Sequence, residues 1–399
     1  MPSYQIFTPA IAQDFANEHS DLFGLHSKLT TVLLKESRQN LVFRVKNQFG
    51  RSLIVKQALP YHHAAGPQTP LTVDRARVEA EVLQRQRNIA PDQVVEILHF
   101  CKEQSAILME DLHDHQQLHK ALVVGRELPN LATQLAEYLA RSSFYSSDFA
   151  QSSAVKRAGM ARFLNPELCQ ITEELAFTDP YGNHSRNNVA PALRDAARSL
   201  WQNEAIKTAV ATLKLQFTSN PQALIHGDLQ CSSIFVNDNS VKVTDAEFGC
   251  YGPIAFDLGR LIGSLLTVYF SIPALIPTIA LRQQQYILGE IRQLWLHFAD
   301  VFLQLAHQET RDLSLQSMDC QRNFVSRIQH DAIGYAATEL IRRVIGMESI
   351  RELRQSKDEQ ASTLAQNQML QVAEQLLLQY PQFQHIDEVV TLVTTTPSR

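Results

Sequence analysis

A chain of 399 residues, 45% hydrophobic and 19% charged, is long enough for two lobes with separate cores and has the composition of a soluble globular protein. Its net charge of −5 leaves no dominant basic surface, which argues against nucleic acid as a partner. Five scattered cysteines (Cys101, Cys169, Cys231, Cys250, Cys320) form no C-x-x-C pair, which argues against a disulfide framework or structural zinc and for a reducing, cytoplasmic setting.

The opening segment lacks the basic start and apolar run of a signal peptide and reads as short amphipathic helices closing over a lobe. Thr31–Leu34, Leu41–Lys46 and Leu53–Gln57 are strand-like, with Asn47-Gln48-Phe49-Gly50 a hairpin turn between the last two. By alternation Lys56 shares the face of Ile54 and opposes Val55. A lysine on an apolar strand face needs an anion, so Lys56 is either a phosphate-binding lysine or an edge lysine reaching for solvent. A helix is predicted from Arg75 to about Arg87, with Thr72 or Asp74 as its cap. Glu79 and Glu81 are both candidates to pair with Lys56, and Glu79 is preferred. Val94–Phe100 and Ser105–Met109 form a further strand pair, ending in Met109-Glu110-Asp111-Leu112. The lobe boundary is placed there: a β-rich lobe over 1–112 and a helical lobe over 113–399. Met109–Leu112 is read as a hinge whose backbone could hydrogen-bond an adenine.

From Leu118 to about Phe217 the pattern is helical, interrupted by a turn-rich surface loop over Thr178–Asn188 in which His184 is a plain loop histidine. Residues 224–259 then carry the densest signal. His226-Gly227-Asp228 precedes two β-rich runs, Ile234–Val236 and Val241–Thr244, joined by Asn237-Asp238-Asn239-Ser240, and Asp245-Ala246-Glu247 follows. A hairpin folds back on itself, so Asp228 and Asp245 emerge at the same end, and Asp228, Asp245 and Glu247 share one cleft. Such a set suits phosphoryl transfer: one carboxylate accepts the proton of an attacking hydroxyl while others hold Mg²⁺ against nucleotide phosphates. The uncharged stretch Leu261–Leu281 is long enough to span a bilayer, but Pro273, Pro277 and its helical apolar spacing predict a buried core helix breaking near Pro273 and no membrane association. From Leu281 to Tyr380 the chain again reads helical, and Thr394–Arg399 is expected to fray.

A lysine strand, a glutamate helix, a hinge and a helical lobe bearing HGD and DxE resemble the kinase-like small-molecule phosphotransferases, which include aminoglycoside phosphotransferases and choline kinases. Within them the chain is most similar to the 5-methylthioribose kinases of bacterial methionine salvage. The carrying segments are Leu53–Tyr61, Pro70–Glu79, Met109–Leu112, His226–Leu229, Glu247-Phe248, Tyr251-Gly252-Pro253, Phe256–Gly259 and Ile341-Arg342-Arg343. The resemblance implies an α+β, bilobal protein-kinase-like fold, ATP and Mg²⁺ as cofactors, and a homodimer. Carried over by residue, it makes Asp228 the catalytic base that also positions the C1 hydroxyl, Asp245 and Glu247 the metal ligands, and Lys56 the α/β-phosphate contact oriented by Glu79. Asn40, Glu110 and Leu112 complete the nucleotide site, and Arg342 and Arg343 reach the sugar and the transferring phosphoryl group. Asp257 is expected to hold the catalytic loop by hydrogen bonds.

The sequence also departs from that family. Lys35–Asn40, where the nucleotide loop normally carries glycine, has none, so backbone approach to phosphates is hindered and Ser37 or Arg38 are the side chains that could substitute. Thr69 stands at a usual tryptophan, Gln230-Cys231-Ser232-Ser233 replaces His-Thr-Gly-Ser, and Ala246 replaces proline between the two acidic residues. Three readings follow: a methylthioribose kinase, a related kinase with another acceptor such as a deoxy- or thio-sugar, aminoglycoside or amino alcohol, or a weakly catalytic nucleotide or sugar sensor.

Overall fold

The computed structural model describes residues 4–24, 27–36, 39–61, 70–348, 350–354, 356 and 358–396. Ser37, Arg38 and Thr69, singled out above, lie outside these residues, as do residues 397–399 of the expected frayed tail.

Helix α1 (Pro9–Glu18) starts where the Thr8 hydroxyl accepts from the Ile11 amide. It packs on a sheet of β1 (Leu29–Glu36), β2 (Asn40–Asn47) and β3 (Ser52–Ala58), then, after α2 (Arg75–Ile89), β4 (Ile97–Cys101) and β5 (Ala106–Glu110). The strands lie antiparallel in the order β1-β2-β3-β5-β4. Strand alternation sorts the two faces. Leu41, Phe43, Val45, Leu53, Val55 and Leu108 form a small core with Phe7, Phe15 and Ala16 of the N-terminal segment. The opposite face presents Val42, Arg44, Ile54, Lys56 and Met109 to a cavity. Gly50, at φ +90, closes the predicted hairpin, its amide donating to the Asn47 carbonyl at 3.1 Å.

Two expectations change here. Asp74 precedes α2 in a helical conformation and gives its carboxylate to Arg77 instead of capping, while the Thr72 hydroxyl accepts from the Asp74 amide. The expected strand from Val94 starts only at Ile97, because Val95 donates its amide to the Val243 carbonyl of the other lobe.

The second lobe begins with β6 (Gln116–Gln117), α3 (Leu118–Val123), α4 (Leu131–Ser146), α5 (Ser153–Arg162) and α6 (Pro166–Phe177), followed by α7 (Arg194–Gln202) and α8 (Glu204–Ser219). The loop over 178–188 is less exposed than expected: Asp179–Tyr181 make a buried 3-10 turn against the helical core, and His184 alone of the pair His184–Asp179 stays exposed. Four short strands come next, β7 (Ala223–Ile225), β8 (Ile234–Val236), β9 (Val241–Val243) and β10 (Cys250–Gly252). The chain ends in α9 (Ile254–Leu275), α10 (Ala280–Glu309), α11 (Met318–Ile345), α12 (Arg351–Arg354), α13 (Glu359–Gln379) and α14 (Ile386–Thr395).

Helix α9 is apolar enough to cross a membrane, yet it is buried among α10, α11 and α13 and carries Pro273 two residues before its end. It is the hub of the core. Phe256 on it meets Phe177, Phe217 and Tyr335 at ring-centroid distances of 4.7–6.2 Å. Its Gly263 lets α11 approach so closely that a Cβ there would lie 2.7 Å from Glu339 Cβ. That contact brings Glu339 into the site.

Candidate active site

The hairpin of β8 and β9 does what its spacing predicted. Ile234 pairs with Val243 and Val236 with Val241, so the chain enters and leaves at one end, where Asp228 and Asp245 line the same cavity. The loop around Asp228 is fixed from both sides. Asp257, at the start of α9, accepts from the His226 amide at 2.6 Å and the Gly227 amide at 2.9 Å, as expected for a loop-holding residue. Burial pushes the Asp257 carboxyl up, against His226 and these two amide donors. The fully buried His226 ring accepts from the Asp228 amide at Nδ1 and donates from Nε2 to the Thr244 carbonyl at 2.8 Å, tying the loop to the end of β9. Gly227 adopts φ +82, and a Cβ there would sit 2.1 Å from the Phe248 carbonyl oxygen.

Lys56 meets the anion that its position demanded. Its Nζ lies 2.7 Å from Glu79 on α2 and 2.6 Å from Asp245. Burial opposes the charge on Lys56, but Asp245, Glu79 and Glu247 outweigh it and raise the ammonium's pKa. Burial pushes the Glu79 carboxyl up while Lys56 pulls it down, and the short contact to a buried ammonium favours the charged pair. Glu81, the other candidate, pairs instead with Arg77 and Arg162. Asp245 itself has φ +64, a left-handed conformation that breaks the strand where its carboxylate meets Lys56.

Two cavities meet at this centre. The larger, about 580 Å³, is lined by Asn40, Lys56, Glu110, Leu112, Asp228, Asp245 and Glu247 among others. At the hinge the Glu110 amide donates to the Glu96 carbonyl, and Asp111 is clamped by Arg44 at 2.7 and 2.9 Å and by the Ser52 hydroxyl at 2.6 Å. The smaller, about 130 Å³, has an apolar wall of Ile171, Leu175, Ala176 and Phe248 facing Asp228, Arg260, Arg342 and Glu348. Gln39, Asp228, Gln230, Glu247 and Glu348 line both.

Arg342 reaches the smaller cavity, whereas Arg343 is not among the lining residues of either. Both are engaged from behind by Glu339, which is fully buried. Arg342 contacts it at 2.9 Å through two nitrogens and Arg343 at 2.7 Å. Arg342 also holds Glu348 at 2.7 Å. Burial would push the Glu339 carboxyl up, but Arg260, Arg342 and Arg343 together hold it well below the usual carboxylate range.

Sequence reasoning missed several partners. Arg260 on α9 binds one oxygen of Asp228 and reaches Glu339 at 2.5 Å, while Gln230 donates to the other oxygen of Asp228 at 2.8 Å and accepts from Arg343. Asn165 donates to the carbonyls of Glu247 and Gly249 at 2.9 and 3.2 Å, holding the acidic loop. Arg75, fully buried, reaches Glu247 at 3.1 Å. The available signals were arginines at places the helical pattern assigns to the core, Arg260 between Leu258 and Leu261 and Arg75 at the head of α2. A charge there requires a buried partner.

Mg²⁺ takes oxygen donors and in nucleotide enzymes is held by one or two carboxylates together with phosphates, without a complete protein cage. Asp245 and Glu247 supply two carboxylates on the cavity wall, and among the described residues no group of three or more His, Cys, Asp or Glu forms a self-sufficient metal site. The donor set fits a nucleotide-bound Mg²⁺.

Residues 30–294 match the phosphotransferase enzyme family. Over 98% of this chain and 99% of its own length, a methylthioribose kinase of Yersinia enterocolitica is 41% identical. A methylthioribose kinase of Erwinia tasmaniensis is 40% identical over the same shares. Among solved structures, a choline kinase of Cryptosporidium parvum is 15% identical with a TM-score of 0.47, covering 98% of this chain and 99% of its own. With its hairpin-borne acidic cleft, its lysine–glutamate pair and full-length likeness at this identity, the chain belongs to the phosphotransferase enzyme family, among its methylthioribose kinases.

Proposed function

We propose that this enzyme transfers the γ-phosphoryl group of ATP to the C1 hydroxyl of 5-methylthioribose, giving the 1-phosphate, ADP and a proton. The observation that carries this reading is the meeting of a large and a small cavity along a shared wall that includes Asp228. ATP in the larger cavity and a small acceptor in the other bring both reactants to the same oxygen atoms. The small cavity's apolar wall suits a methylthio group, and its charged side suits the hydroxyls of a pentose.

In this reading Asp228 orients the acceptor hydroxyl and takes its proton, with Gln230 and Arg260 fixing the carboxylate's two oxygens. Lys56, oriented by Glu79, meets the α/β-phosphates, and Asn40 and the backbone of Glu110 and Leu112 receive the rest of the nucleotide. Asp245 and Glu247 hold Mg²⁺, which when bound neutralises phosphate charge. Arg342 contacts the sugar and offsets charge on the transferring group, while Arg343, which lines neither cavity, acts through Gln230, and Glu339 balances both arginines. Catalysis is then mostly positioning and charge neutralisation, as expected where a loose phosphoryl transition state leaves little covalent work to the protein. A cytoplasmic homodimer completes the proposal. Light scattering after gel filtration tests the assembly.

The deciding experiment measures ADP release with Mg-ATP and 5-methylthioribose beside other sugars, amino alcohols and an aminoglycoside, with Asp228→Ala as the blank. Turnover strongly favouring methylthioribose supports the reading. Preference for another acceptor moves the substrate and keeps the chemistry, and nucleotide binding without any turnover makes the protein a sensor.

A further inference from the structure

Arg75 heads α2 with its side chain wholly out of solvent. An arginine there is costly unless each donor finds a partner, and an aliphatic residue would fill the space without that requirement. Its donors are spent in a particular way. Nη1 goes to the Thr72 carbonyl and Nη2 to the carbonyls of Gln39 and Leu59, the latter at 3.0 Å, all within the sheet lobe. Nε crosses to the other lobe and meets Glu247 Oε2 at 3.1 Å. The Asn40 amide reaches that same oxygen at 3.3 Å, and among the described residues Glu247 Oε1 takes no hydrogen bond.

One guanidinium therefore joins Gln39 of the glycine-free stretch, the end of the lysine strand, the start of the glutamate helix and the second acidic residue of the DxE loop. Its planar fork allows this, because several donors leave one rigid group in fixed directions. We propose that Arg75 is a positioning residue that sets the orientation of Glu247 toward the nucleotide's metal and registers it against Gln39 and Asn40 at the start of β2. This rests on the reading of Glu247 as a metal ligand.

The test is equilibrium binding of ADP, followed by calorimetry with and without Mg²⁺, to the full-length wild type, Arg75→Gln, Arg75→Lys and Arg85→Gln. Arg85 lies exposed on the same helix, over the Phe163 ring, and controls for a lost surface charge. In the wild type Mg²⁺ is expected to tighten ADP binding. In Arg75→Gln that tightening should fall at least tenfold, while metal-free ADP affinity stays within about threefold and Arg85→Gln matches the wild type. Arg75→Lys keeps the charge but not the fork, so it should fold and still show the defect. Rescue by lysine, an equal loss with and without Mg²⁺, or failure of both variants to fold would each reduce Arg75 to a charge or core residue and overturn the proposal. A wild type indifferent to Mg²⁺ would instead remove the metal role of Glu247, and the proposal with it.

Discussion

Replacing Glu339 with glutamine isolates the electrostatics of this site. The carboxylate is fully buried and touches Arg260, Arg342 and Arg343, at 2.5, 2.9 and 2.7 Å. Glutamine keeps the shape but strands three guanidiniums beside a neutral group. Breaking a buried pair by removing one partner costs about 3–5 kcal/mol. Retained amide contacts put Glu339→Gln near about 3 kcal/mol, a large part of the 5–15 kcal/mol typical of a domain. The sign with pH is also fixed. A carboxyl held below its unfolded value, near 4.5, contributes fully above that value and loses its contribution as pH falls through the folded value. Denaturant unfolding at pH 7.5 should therefore separate wild type and variant by about 3 kcal/mol, and the gap should shrink below about pH 4. Freed from Glu339, Arg260 should also lean further on Asp228, and kcat should fall more than the KM for ATP. A gap under about 1 kcal/mol at pH 7.5, or one unchanged at pH 3.5, would refute the ion cluster as the organiser of this site.

Arg342→Lys should raise the KM of the sugar at least tenfold with little change in the KM for ATP, because lysine cannot span Glu339, Glu348 and a substrate together. The reverse split in steady-state kinetics would move Arg342 to the nucleotide side. Gly227→Ala should cost about 2 kcal/mol or more and abolish turnover, since its Cβ collides with the Phe248 carbonyl. A stable, active variant by thermal melt and ADP release would contradict the tight apposition of these loops. Burial pushes the Asp331 carboxyl up to about 6 from 3.8. Its cost to stability is absent below the unfolded value, grows between the two and is complete above pH 6. Asp331→Asn should therefore stabilise the protein by about 1–2 kcal/mol at pH 7.5 and leave it unchanged at pH 3.5, and equal melting shifts at both pH values would contradict this.

Local rules account for much of the site. Lys56 could be placed on the face it shares with Ile54, which lines the cavity, because side chains alternate along β3, and Asp228 and Asp245 could be brought together because a tight hairpin returns the chain to its start. Asp257 was expected as a loop anchor from the family resemblance, its position at the head of a helix by itself meaning no more than an N-terminal charge. The strand from Val94, by contrast, began late because the amide of Val95 was claimed by a distant segment, which no local pattern reveals.

What the sequence determined by itself was thus a set of features of short-range geometry: the strand faces, the hairpin and the gathering of the acidic loop beside Asp228. What only the tertiary structure decided was how charge is balanced. Arg260 and Glu339 stand 79 positions apart, and Arg75 and Glu247 stand 172 apart. Each pair exists because helix packing carries both groups out of water together. Burial makes the partnership obligatory, but which groups meet depends on α9 against α11 and on one lobe against the other. Those contacts are written in no single stretch of the chain.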